Sequence, residues 1–145
     1  MPGRYSMRDP RKLHRLQYQA LGMLGVTTLL LLLPGEVLSL LEGWLPTIEA
    51  PVLQTGSSDK LVHGVLFALC GFTAMRAWGR SAERWIYVFL ALSGYGAATE
   101  ILQLAVPGRA ASAGDLLADV LGVLAGIALG YHRNRRRESA PATGL

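Results

Sequence analysis

The chain has 145 residues, enough for one domain, and only 17% of them are charged while 51% are apolar. About a quarter charged is usual for a soluble domain, so the composition leans towards a membrane. The formal net charge of +4 does not indicate nucleic acid, because the basic residues flank apolar runs and do not form a face. The single cysteine, Cys70, lies within an apolar run and reads as a small buried hydrophobe, which leaves no disulfide or thiolate metal site within one chain.

Residues 1–15 form a basic N-terminal segment. The run 16–33 follows, 18 residues ending in five leucines from Leu29. At ~1.5 Å per residue it is just long enough to cross about 30 Å of hydrocarbon. It exceeds the apolar region of a signal peptide and lacks a nearby small-x-small cleavage site, so it reads as a retained transmembrane helix. Pro34 and Gly35 end it. Residues 36–58 contain three Glu and no Lys or Arg. There Val37, Leu38, Leu40, Leu41, Trp44 and Leu45 recur at helical spacing, which suits a short interfacial helix in the first outer loop. Ser57 or Ser58 is positioned to cap the next helix, with Asp59 in its first turn.

The second apolar run spans 61–78, with Arg76 placed to snorkel at its far end. After a basic turn at 79–84, Trp85 anchors the third run, 86–106. The loop Pro107-Gly108-Arg109 leads to the fourth run, 115–131, and a basic tail at 132–145 that is expected to be disordered. The predicted fold is an all-α membrane protein whose four-helix membrane domain occupies 16–131.

Orientation follows the basic residues. Twelve of the 14 Lys and Arg lie in the N-terminal segment, around the turn between runs two and three, and in the tail. Four spans put these on one side and predict cytoplasmic N- and C-termini. The exceptions, Lys60 and Arg109, fall on the outer side.

That outer side also receives Asp59, His63, Glu100, Gln103, Asp115 and Asp119. The pairs 59/63, 100/103 and 115/119 each share a helix face. A charge near the bilayer centre costs about 2.5–3.5 kcal/mol, so the deeper acids, Glu100 and Asp119, need partners. Arg109, Lys60 and His63 are the cations in reach. The planar fork of Arg109 suits a clamp on Glu100 or Asp115. Gly122 and Gly126, spaced G-x-x-x-G, extend the stripe of Asp115 and Asp119 and permit close helix packing. Polar groups at helix ends often only cap and pair, and that plainer role suits Asp59, Lys60 and Asp115 best.

These residues resemble the VanZ-like family of small bacterial membrane proteins. The resemblance is carried by DKLVHGVLF at 59–67, E-x-x-Q at 100–103, Pro107-Gly108-Arg109, and S-x-x-D-x-x-x-D-x-x-G-x-x-x-G from Ser112 to Gly126. It covers about half the chain. Asp119 departs from it, since many members look like D-x-x-x-N there. The resemblance implies a four-helix, multi-pass protein of the bacterial inner membrane. Its founding member is linked to low-level resistance to the glycopeptide teicoplanin, and the family name brings no reaction with it.

Three functions compete. The leading expectation is a non-enzymatic outer pocket, formed by the polar residues above, for a lipid headgroup, a lipid-linked cell-wall precursor or a lipoglycopeptide. The second is an enzyme acting on a lipid-linked substrate, with His63 as general base and Glu100 or Asp115 as orienter or acid. His63, Glu100, Asp115 and Asp119 are also donors suited to a divalent metal. No H-E-x-x-H or nucleophile motif accompanies them, and no metal or cofactor is assigned. The third is a small proton-coupled transporter built by homo-oligomerisation, disfavoured by acids at one end instead of the midplane.

Overall fold

The structure, a computed structural model, describes residues 10–34, 36–37, 57–79 and 83–139. Among the described residues there are four long helices: α1 (Pro10–Leu31), α2 (Ser57–Trp78), α3 (Arg84–Gln103) and α4 (Ala113–Ser139). No β-strand occurs among the described residues. The expected interfacial helix lies outside them, apart from Val37.

Among the described residues, three helical stretches are long and apolar enough to cross a membrane: 59–78, 84–103 and 113–136. The first apolar run is helical too, but α1 does not join that set. Its N-terminal half carries Arg11, Lys12, His14, Arg15, Gln17 and Gln19, and Leu32 and Leu33 fall beyond its end.

Every helix boundary but the end of α2 differs from expectation, α1 beginning at Pro10 inside the basic N-terminal segment and ending at Leu31, and two differences bear on the loop and the tail. Helix α3 stops at Gln103, and residues 104–108 turn instead of reaching 106 as helix. The tail expected to be disordered from 132 is helical to Ser139. Arginine is a good helix former, and one contact to α2 and one within α4 hold this extension. The Asn134 amide donates to the Met75 carbonyl near the end of α2 (3.1 Å), and the Arg135 guanidinium lies 5.7 Å from the Tyr131 ring centroid. At ~1.5 Å per residue α4 is roughly 40 Å long, more than a hydrocarbon core needs.

Successive helices run antiparallel, so the end of α1, the start of α2, the end of α3 and the start of α4 meet. The pair α2–α4 is the centre of the bundle. A Cβ on Gly122 would be driven into the Gly64 carbonyl, and one on Gly126 into the Ala68 carbonyl. From the other side, a Cβ on Gly71 would stand 2.7 Å from the Val123 carbonyl oxygen. The expected close approach at Gly122 and Gly126 is therefore present, and Gly64, Gly71 and Gly130 extend it.

Helix α1 packs mainly on α2. Thr27 Oγ1 lies 3.3 Å from the sulfur of buried Cys70, and Thr28 Oγ1 lies 2.7 Å from the Tyr95 hydroxyl of α3. The core holds Leu31, Phe67, Met75, Leu92, Val123 and Ile127. The outer surface is apolar as well: Leu61, Val65 and Leu69 of α2 and Leu117, Leu121 and Leu124 of α4 are exposed. Acids lie inside and leucines outside, the reverse of a soluble bundle and the arrangement a lipid solvent favours.

A buried polar site at one end of the bundle

The residues that end α1 and α3 and begin α2 and α4 bring the expected polar groups together in two layers. The outer layer holds Asp59, Lys60, Arg109 and Asp115. Lys60 Nζ lies 3.5 Å from Asp115 Oδ1, and an Arg109 terminal nitrogen lies 3.5 Å from Asp59 Oδ1. The Asp59 and Lys60 side chains are each 47% exposed, whereas those of Asp115 and Arg109 are 5% and 11% exposed.

The inner layer lies one helical turn deeper on α2 and α4. His63 and Asp119 are fully enclosed, and the His63 Nδ1–H donates to Asp119 Oδ1 at 2.9 Å. Glu100 Oε1 lies 3.7 Å from the same nitrogen. The other Glu100 oxygen accepts from the Ser112 backbone N–H at 2.9 Å. Ser112 also starts α4: its Oγ accepts from the Gly114 N–H (3.1 Å) and its carbonyl from the Asp115 N–H (3.0 Å). Ser112 thus couples the helix start to Glu100.

Arg109 does not clamp Glu100 or Asp115. It pairs with Asp59, and its second terminal nitrogen donates to the Leu31 carbonyl at 3.2 Å. Gln103 donates to the same carbonyl at 3.0 Å and is buried. The last carbonyls of a helix lack intrahelical donors, which explains why α1's terminus accepts two from elsewhere. Gly108 positions Arg109. It is the one described glycine with positive φ (72°), and the Arg109 N–H returns to the Val106 carbonyl at 3.2 Å. Pro then Gly at the two central positions is what such a turn requires.

Sequence reasoning missed Gly96. It lies one turn before Glu100 on α3, and a Cβ there would stand 3.1 Å from Asp119 Oδ2. The i, i+4 spacing of Gly96 and Glu100 was the available signal. The Leu31 carbonyl was also missed, and as a backbone atom it has no residue-type signal.

Five polar atoms of this site are buried without a hydrogen-bond partner: His63 Nε2, Glu100 Oε1, Arg109 Nε, Asp115 Oδ1 and Asp119 Oδ2. Two of these, Glu100 Oε1 and Asp115 Oδ1, have only the longer ion pairs described above. Native bundles leave few such atoms, so this concentration sets the site apart from the rest of the core.

Long apolar helices enclosing ionisable side chains at one end mark the class as a membrane protein with a buried polar cluster. The VanZ/LLP1 family model matches residues 12–133, and the chain belongs to that family. No curated protein and no solved structure gives a significant match.

Proposed function

We propose that this VanZ-like membrane protein binds the polar headgroup of an amphiphile at the outer end of its bundle. The ligand class is a lipid headgroup, a lipid-linked cell-wall precursor or a lipoglycopeptide. On this reading α1 is the fourth span, both termini are cytoplasmic and the membrane is the bacterial inner membrane. The basic segments flanking the helices support that orientation.

The observation that carries the proposal is the outer layer itself. Half-exposed Asp59 and Lys60 pair with Arg109 and Asp115, whose buried Nε and Oδ1 have no hydrogen-bond partner. The cations suit a phosphate or carboxylate, and the acids suit an amine or sugar hydroxyls. Lowered teicoplanin susceptibility is the phenotype this ligand class suggests.

The test uses the full chain in lipid nanodiscs with a polyprenyl phosphate as probe. The wild type is expected to retain it, and Arg109→Ala to weaken retention at least about tenfold, some 1.4 kcal/mol. In cells, the same variant should lose any protection against teicoplanin while still accumulating in the membrane. Equal retention by wild type and variant would remove the outer layer from ligand binding.

The His63–Asp119 hydrogen bond favours a second reading, an enzyme acting on a lipid-linked substrate. A buried carboxylate that holds an imidazole in one tautomer is how a general base is oriented. Incubating the protein with a panel of labelled lipid-linked substrates should then give product that His63→Gln abolishes. A panel without turnover ends this reading and leaves the binding reading intact.

A further inference from the structure

The inner layer differs from the outer one in how its charges are compensated. Asp59 has Arg109 and Asp115 has Lys60. Below them, Glu100 and Asp119 share one imidazole. With both acids ionised and His63 neutral, the inner layer carries two negative charges in a region sealed from solvent. Glu100 is 7% exposed, and His63 and Asp119 are 0% exposed.

The geometry points to a divalent metal ion bound by His63, Glu100 and Asp119. One donor atom from each lies within 4.8 Å of the others. His63 Nδ1, a ligand once its proton has passed to Nε2, is 2.9 Å from Asp119 Oδ1 and 3.7 Å from Glu100 Oε1. Bonds of roughly 2.0–2.1 Å in a tetrahedral site place donors about 3.3 Å apart, a spacing that the two His63 separations bracket. Of these donors Glu100 Oε1 is buried without a hydrogen-bond partner, as are the second polar atoms of the other two side chains, His63 Nε2 and Asp119 Oδ2. Hydrogen bonds within the trio cannot satisfy both acids, because two carboxylates and one imidazole bring too few protons.

The donor set selects the kind of ion. One imidazole and two carboxylates, with Cys70 committed to Thr27, suit first-row divalent ions such as Mn²⁺ or Zn²⁺ and not a thiolate-selected metal. Three protein ligands leave at least one position for an outside oxygen. The Ser112 N–H already fixes the second Glu100 oxygen, the support a metal-binding carboxylate needs. A second trio, Asp59, His63 and Asp115, also meets the distance criterion. Its acids already have Arg109 and Lys60, so the inner trio is the stronger site.

The test needs no organic ligand. Full-length protein in detergent micelles, stripped with chelator, is titrated calorimetrically with Mn²⁺ and with Zn²⁺. One equivalent is expected to bind and to raise Tm. Glu100→Gln and Asp119→Asn should each weaken binding at least tenfold, while Glu83→Gln, exposed at the opposite end, should leave it unchanged. Co²⁺ loading of the wild type should give visible d–d bands of nitrogen–oxygen ligation, and this spectrum decides the matter if a variant does not fold. Absence of stoichiometric binding and of these bands overturns the site, as does wild-type affinity in both folded variants. Polyprenyl phosphate retention without metal binding would leave the headgroup proposal standing alone, so the two are separable.

Discussion

Replacing Gly126 with valine is expected to abolish the folded bundle. A Cβ at this position meets the Ala68 carbonyl of α2 and lies 2.7 Å from the Phe72 backbone nitrogen. These are backbone atoms, so no flexible side chain can swing aside. Overpacking a core usually costs about 1–3 kcal/mol, and a branched side chain against a helix backbone belongs at or above the top of that range. Because α2 and α4 carry His63 and Asp119, separating them also dismantles the site. Extraction yield, size-exclusion profile and Tm in detergent provide the check, with Gly94→Ala as control, since nothing lies within 4 Å of a Cβ there. A Gly126→Val protein that extracts as a monodisperse species with wild-type Tm would contradict the α2–α4 packing.

The second large effect concerns Asp119. Asp119→Ala removes the acceptor of the His63 Nδ1–H in a fully enclosed position. An orphaned buried donor costs about 1–3 kcal/mol, and here bulk water cannot take the acceptor's place. Asp119→Asn keeps both the shape and an acceptor oxygen, so in chelator-stripped, metal-free protein its stability should stay near wild type. Denaturant titration of the two variants in the same detergent reads the difference. Were alanine and asparagine equally stable, the hydrogen bond would contribute nothing and the inner layer would be held by packing alone.

Much of this was legible in the sequence because membrane constraints are written in residue types. Apolar runs of about 20 residues announced α2, α3 and α4, and charges inside them had to face the interior. Spacing of three or four then placed Asp59 with His63 and Asp115 with Asp119. What was not legible involved choice among similar partners or atoms without identity. Several acids lay within reach of Arg109, and only the turn at Gly108 directs it to Asp59. The extension of α4 past Tyr131 read as a basic tail, because its support comes from Met75, far away in sequence. The full run of packing glycines needed the α2–α4 crossing to be known before Gly64, Gly71 and Gly130 acquired a reason.

The shared carbonyl of Leu31 has a consequence in time. Its two donors, Gln103 and Arg109, follow it by 72 and 78 residues. At about 5–20 residues per second of synthesis, the end of α1 waits roughly 4–16 s before either donor exists. Until then that helix can lean on α2, through Thr27 and Cys70, but cannot be fastened at the polar end. The first helix made is therefore among the last to be locked. The joint that locks it adjoins the site, so the buried charges are sealed in only after every helix that borders them has been made or begun.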